Sequence, residues 1–540
     1  MSVFVGVKNK TVRVLAESLY DNPVIIKDFR TRMRGWKPYT TIAVYVCFLA
    51  IAELITFISI ANIFDGSRGI PANSLKDAGM MIFTVLNVAN VILLALIIPS
   101  ITSTAITAEL EKKTIEMLAL TNLTPLKIAF GRHLSGFLFC CILLVCSVPL
   151  AAMCLLFGGI SPGEIFVTYL VVAAWCFLTT AGGVYWSSLF LRSAVASVTS
   201  YATCWAFLLL TLPLGFLGMN ASHMGSAGAN NFIFAGMNPF TIQNQAMNPA
   251  KVCGISIPIS LAAIVVFIMI GVLLTLTAST HIKFKPAKHP LAIRVLMLSI
   301  FGLLTWLIMG NIGYFIPNNI YILLFFGTIV LVLLWCFSFI FATGVINKPE
   351  KMSFIRYAFS FKKIFKDDIG GGIPFMMLFT FVIYSVLGIT IWWVNTASLT
   401  HTNFKSLNIA YLKMFAATII MIVGISAFAV FSSSINKMRR NAAASVILFL
   451  LFAYAFFPLM SVGNVVYNKA LPLYQTAVLW PMTPFLCAAG EWSRSSMPKL
   501  AWPLNISWLV CGIAYLVFGI ISLLIADIAF KKTGGIKEEE

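Results

Sequence analysis

The sequence predicts an all-α polytopic membrane protein of about twelve transmembrane helices with both termini in the cytosol, and three observations lead there. Of the 540 residues, 60% are hydrophobic and 10% charged, with a mean hydropathy of +0.95, a composition that water does not keep dispersed. The apolar residues come in stretches long enough for the roughly 20 positions that a helix needs to cross a hydrocarbon core of about 30 Å. Basic residues crowd into alternate loops and nearly vanish from the others.

Apolar stretches bounded by charged or turn-rich breaks fall at 39–64, 79–106, 135–157, 165–190, 196–218, 255–279, 291–316, 319–346, 374–395, 407–431, 442–466 and 503–530. The segments on the side of the N-terminus hold 29 of the 37 lysines and arginines; the opposite set holds 7, and Lys413 lies within a span. Cytosolic loops carry such an excess, which orients the chain. The dispersal also accounts for the net charge of +19 through topology and contact with anionic inner-leaflet lipid, and argues against a nucleic-acid partner.

Residues 1–38 read as a cytosolic and interfacial element. Asn22 can cap a helix and Pro23 can occupy its first turn, after which Ile25, Phe29, Met33 and Trp36 recur at four- and three-residue steps. Lys27, Arg30, Arg34 and Lys37 take much of the opposite side. An apolar stripe with a terminal Trp and a cationic face describes a helix lying in the inner interface; a basic topology signal alone is the plainer alternative. The first apolar span follows a polar, basic stretch, so no cleavable signal sequence is expected.

Charges within spans are costly and often mark a pathway. Glu53 lies near the middle of the first span and is a candidate pathway residue. Lys413 can snorkel outward, and Asp527 can pair with Lys531 near the cytosol.

The most particular segment is the loop 107–134. Read as a helix, it places Glu109, Lys112, Lys113 and Glu116 on one face and Ile106, Leu110, Met117 and Leu120 on another, with Glu109 and Lys113 in the favoured i,i+4 order. Thr124 and Pro125 then begin a second short helix, Pro125 to Arg132, leading back to the membrane. The expected product is an elbow protruding into the cytosol.

Asn22-Pro23 with its basic helix, Glu109-x-Glu111-x-x-Thr114-x-Glu116-x-Leu118, Gly131-Arg132 and Pro149 together resemble the permease subunit of type-2 ABC exporters. The resemblance covers about residues 20–280. It implies that the elbow is a coupling helix contacting a separate cytosolic ATP-binding subunit, two copies per transporter, through Glu109, Glu111, Thr114, Glu116 and Leu118. It further implies a bacterial inner-membrane location, with ATP and magnesium on the partner and no cofactor on this chain. The chain departs from the family pattern where Lys113 replaces a usual Gly, and where Thr121-Asn122-Leu123-Thr124 replaces a Thr-Pro-Leu-Ser run.

The chain thus divides into the element 1–38, a six-span unit 39–280 containing the loop 107–134, and a second six-span unit 281–540 with the cytosolic loop 347–373. The runs 185–216 and 431–460 share a serine pair, a basic turn and a late proline; Pro213 and Pro458, like Pro239 and Pro484, are 245 residues apart. A parallel six-span repeat is one reading. The other is an accessory extension, with the chain dimerising through its first half. In the loop 347–373, Phe354, Ala358, Phe361 and Phe365 oppose Arg356, Lys363 and Lys366, without the acidic motif.

Two outer loops, 219–254 and 467–502, mix prolines and aromatics and read either as re-entrant elements or as plain interfacial loops. The chain has no G-x-x-x-x-G-K-[ST] loop, so ATP hydrolysis is expected on another chain. The five histidines show no ligand spacing, which argues against a metal site, and the 11 cysteines fall almost wholly within spans as packing residues. The expected function is therefore mechanical coupling in an ATP-driven exporter. The rivals are an ion-coupled secondary transporter centred on Glu53 and, less favoured, a membrane-embedded lipid or glycan enzyme, for which clustered acids are lacking.

Overall fold

The computed structural model describes residues 23–65, 72–113, 123–223, 232–244, 246–282, 290–315, 354–361, 364, 371–397, 404–435 and 504–532. Apart from one hairpin and three short 3-10 turns, its elements are helices. They divide into two units at His289/Pro290, with Val252–Gly254 assigned to the second.

The first unit contains α1 (Pro23–Arg32), α2 (Lys37–Asp65), α3 (Ala72–Thr102), α4 (Thr107–Glu111), α5 (Pro125–Cys154), α6 (Pro162–Leu189), α7 (Ser193–His223) and α8 (Ile259–Thr280). The hairpin strands are β1 (Pro249–Val252) and β2 (Ile255–Pro258). The second unit contains α9 (Pro290–Phe315), α10 (Phe354–Ala358), α11 (Gly372–Ala397), α12 (Phe404–Ile435) and α13 (Leu504–Lys532). Ten of the described helices, α2, α3, α5 to α9 and α11 to α13, are long and apolar enough to cross a membrane. The expected spans 319–346 and 442–466 lie outside the described residues, as do Pro458 and Pro484.

Local chemistry sets the starts of the helices. Thr124 caps α5 by accepting from the Lys127 N–H at 3.3 Å, with Pro125 in the first turn. Ser161 and Glu164 form a reciprocal capping box ahead of α6, whose first residue is Pro162. The expected break between a short helix ending at Arg132 and a span beginning near 135 is absent. α5 runs unbroken to Cys154, because nothing between those positions removes a backbone donor and Ser135 bonds back to the Arg132 carbonyl at 3.1 Å.

In the first unit α6 and α8 pack against each other most extensively, with Trp175 and Phe267 fully enclosed, while α2 and α7 turn most of their apolar surface outward. The segment 232–244 is not helical in the α sense and is buried among these helices; Ile233–Met237 is enclosed throughout. Asn87, at the centre of α3, donates to the Pro239 carbonyl and to Gln243 Oε1, both at 2.8 Å. Asn238 donates to the Leu208 carbonyl at the centre of α7, at 2.9 Å. Non-helical backbone of the segment 232–244 thus reaches the midpoints of α3 and α7, where polar side chains satisfy it.

The two units share a pattern. Starts at Thr107 and Phe354, at Pro125 and Gly372, and at Ile259 and Leu504, and ends at Leu189 and Ile435, are separated by 245 to 247 residues. The α6–α8 packing of the first unit corresponds to the α12–α13 packing of the second, and α5–α6 to α11–α12. An apolar cluster of Ile128, Tyr185 and Ala278 has its counterpart, 245 residues on, in Ile373, Val430 and Leu523.

Candidate functional site

The segment singled out by its acidic motif is described at Glu109 and Glu111; Thr114, Glu116 and Leu118 lie outside the described residues, as does Asn22. α3 ends at Thr102, a turn follows, and α4 is a single helical turn, Thr107–Glu111. The expected continuous amphipathic helix is thus shorter. Lys113 has a φ of +55°, in the left-handed region, so Glu109 and Lys113 do not stack along one helix. At this position a side chain costs roughly 1–2 kcal/mol that glycine avoids. Lys113→Gly is accordingly expected to raise stability by up to about 1 kcal/mol in a detergent unfolding titration, since relief of strain is offset by the entropy of a freer unfolded chain.

Five hydrogen bonds and one apolar contact seat α4 and the turn before it on the helices behind them. The hydroxyl of Ser187, in the last turn of α6, accepts from the N–H groups of Ile106 and Thr107 at 2.8 and 3.1 Å. Ser193 donates its hydroxyl to Thr107 Oγ1 at 3.1 Å, and Ser103 meets Ser197 at 2.9 Å. Glu111 accepts from the Ser193 N–H at 2.7 Å, placing a carboxylate at the positive N-terminal end of α7. Leu110 packs on the cluster of Ile106, Ile128, Val184 and Ala278.

Beneath the turn the helices touch through glycine. A Cβ at Gly183 of α6 would lie 1.9 Å from Thr102 Oγ1, and one at Gly136 of α5 would lie 2.9 Å from Thr102 Cγ2. The last residue of α3 is therefore wedged between two helices that approach closely because both lack a side chain there.

An ion cluster joins the elbow to α1. Arg132, on the second turn of α5, hydrogen-bonds Glu109 of α4 and lies 3.0 Å from Asp28 of α1. Asp28 is 6% exposed. Its contact with Arg132 does not reach hydrogen-bond geometry, and Asp28 Oδ2 and Arg132 Nε are buried without a hydrogen bond among the described residues. Burial accordingly holds the Asp28 carboxyl above its ordinary pKa despite the opposing pull of Arg132. Burial likewise lowers the pKa of Arg32, against the attraction of Asp28.

One side of α1 packs on α5. Val24 and Asp28 form its buried ridge against α5, while Ile25, Phe29 and Met33 are half-buried on one flank and Trp36, beyond the helix end, is 72% exposed. The packed side carries Asp28 towards Arg132 of that neighbour and lies beside the expected apolar stripe. Pro23 opens the helix, and Lys27, Arg30, Arg34 and Lys37 are exposed.

Glu53 is half-buried, with the Cys154 thiol 3.9 Å from Oε1. His133, one residue past Arg132, is fully enclosed between the Phe177 carbonyl at 3.0 Å and Thr275 Oγ1 at 2.9 Å, which fixes its ring between α5, α6 and α8. Sequence spacing did not reveal that role. In the second unit, Tyr357 and Ala358 of α10 are buried but Phe361 is 64% exposed, so Phe361 does not share the buried side of Ala358; Phe365, Lys363 and Lys366 lie outside the described residues. Among the described residues no cluster of His, Cys, Asp and Glu could hold a metal.

The chain matches no protein-family model, and no curated protein sequence matches it.

Proposed function

We propose that this chain is the membrane-spanning part of an ATP-driven ABC exporter, with two fused six-span units, twelve spans in all and both termini cytosolic in a bacterial inner membrane. The observation that carries the reading is the braced elbow. A one-turn helix stands where two spans turn back on the highly basic side, and it is joined to the ends of α5, α6 and α7 and to α1. A push on such an element moves spans and not a slack loop. The left-handed backbone at Lys113, where the resembling family usually has Gly, agrees with that family's turn.

The 245- to 247-residue correspondence of helices favours a fused pair over an accessory extension. The re-entrant segment held at mid-depth by Asn87 supplies a barrier that a transport pathway needs. In this reading Glu109 and Glu111 position the elbow, because both are engaged within the chain, and the exposed Lys112 and Lys113 face the ATPase.

Purification in mild detergent is expected to bring down a protein with a phosphate-binding loop at two copies per chain, with ATPase activity in the complex. Lys112→Glu with Lys113→Glu is expected to weaken that association without altering unfolding of the chain. A chain that remains alone and without ATPase activity under conditions that preserve membrane complexes would favour the ion-coupled reading, with Glu53→Gln as its test.

A further inference from the structure

Between α1 and α5 runs an open groove of about 270 Å³, lined by Phe29, Leu138, Cys141, Ile142, Val145 and Cys146 and almost wholly apolar. Its α5 wall covers eight residue steps, about 12 Å of a membrane-spanning helix at about 1.5 Å per residue. Its upper edge is α1, which lies outside the spans and, through residue 37, carries Lys27, Arg30, Arg32, Arg34 and Lys37 against the single acid Asp28.

Arg32 is the informative member of that set. It is half-buried, one turn along α1 from Phe29, with Asp28, Arg132 and the Cys140 thiol of α5 in its electrostatic surroundings. Among the described residues it makes no ion pair within 4 Å and no hydrogen bond. A guanidinium taken partly out of water keeps its charge and leaves five donors to satisfy. An apolar groove with such a cation one turn of α1 beyond its Phe29 wall offers, in order, room for an acyl chain and a charge for a phosphate.

We propose that the groove holds one anionic phospholipid of the cytosolic leaflet, its phosphate on Arg32 and one acyl chain along Leu138, Ile142 and Val145. The exposed cations of α1 raise the local concentration of such lipids, and Arg32 with the groove selects a single one. The leaflet follows from the distribution of basic residues; the site does not depend on the exporter reading.

The test uses the full chain, delipidated in detergent and titrated with mixed micelles containing phosphatidylglycerol or phosphatidylcholine, with bound lipid counted by native mass spectrometry. One phosphatidylglycerol is expected to bind more tightly than phosphatidylcholine. Arg32→Gln should weaken it by about tenfold or more, as expected for loss of a charge-assisted hydrogen bond. Val145→Trp, at an exposed position that fills the groove without touching the ion cluster, should weaken it as well and remains informative if Arg32→Gln folds poorly. Arg30→Gln, on the exposed side, should have little effect. Equal binding of the two lipids, unchanged binding by Val145→Trp, or an equal loss in Arg30→Gln and Arg32→Gln would overturn the proposal in favour of diffuse attraction to the membrane surface.

Discussion

Arg132→Met is expected to cost about 3–5 kcal/mol of stability, the usual consequence of removing one partner from a buried ion pair. Arg132 is 13% exposed by side chain, Asp28 7% and Glu109 22%, so Asp28 is buried and Glu109 only partly reached by water. The loss comes from the stranded anions more than from the attraction itself. Replacing the whole cluster, Asp28→Leu with Glu109→Leu and Arg132→Met, should therefore recover much of what the single change loses, because desolvated charges are removed together. Unfolding titrations on the single and triple variants decide this, and a triple variant as unstable as the single one would show that the charges earn a large net gain in place. Function separates from stability in the same pair of proteins. If the cluster couples α1, α4 and α5, the stable triple variant should insert normally and still lose partner-driven transport.

What the sequence disclosed and what it hid follow from the range of each interaction. Ten spans were legible because each is a continuous local excess of apolar residues, and the start of α5 was legible because Thr124 and Pro125 act within four residues. The ion cluster was not, since it joins residue 28 to 109 and 132, and Asp28 stands among lysines and arginines that mask it as part of a solvated face. The same distance hid which side of α1 meets the protein: beside the periodic stripe of Ile25, Phe29 and Met33, the partner helix takes the adjacent ridge of Val24 and Asp28. Glycines 136 and 183 gave no local signal either, because their importance lies in the Thr102 side chain that each must admit. That the segment 232–244 packs at the midpoints of α3 and α7 was hidden as well, because it depends on Asn87 and Asn238, one of them in a distant helix.

Gly183→Val is the second change expected to have a large effect, and it tests coupling from below the elbow. A valine Cβ would start 1.9 Å from Thr102 Oγ1 and 2.6 Å from Thr102 Cβ, and the backbone carbon of Thr102 at 3.3 Å leaves no room for a rotamer change to resolve the clash. The end of α3 must then move away from α6. Overpacking of this kind costs about 1–3 kcal/mol, and here the displacement falls one turn before the elbow. The Ser187 hydroxyl, fixed on α6 four residues further on, would lose its hold on the Ile106 and Thr107 N–H groups, and with them the seat of α4. Gly183→Val should consequently reach the membrane, show a lowered unfolding midpoint and, on the proposed exporter reading, bind the expected ATPase poorly. Thr102→Ala in the same chain removes the clashing hydroxyl and should restore part of both properties, whereas a chain in which Gly183→Val alone leaves partner binding intact would mean that the elbow is not positioned by this contact.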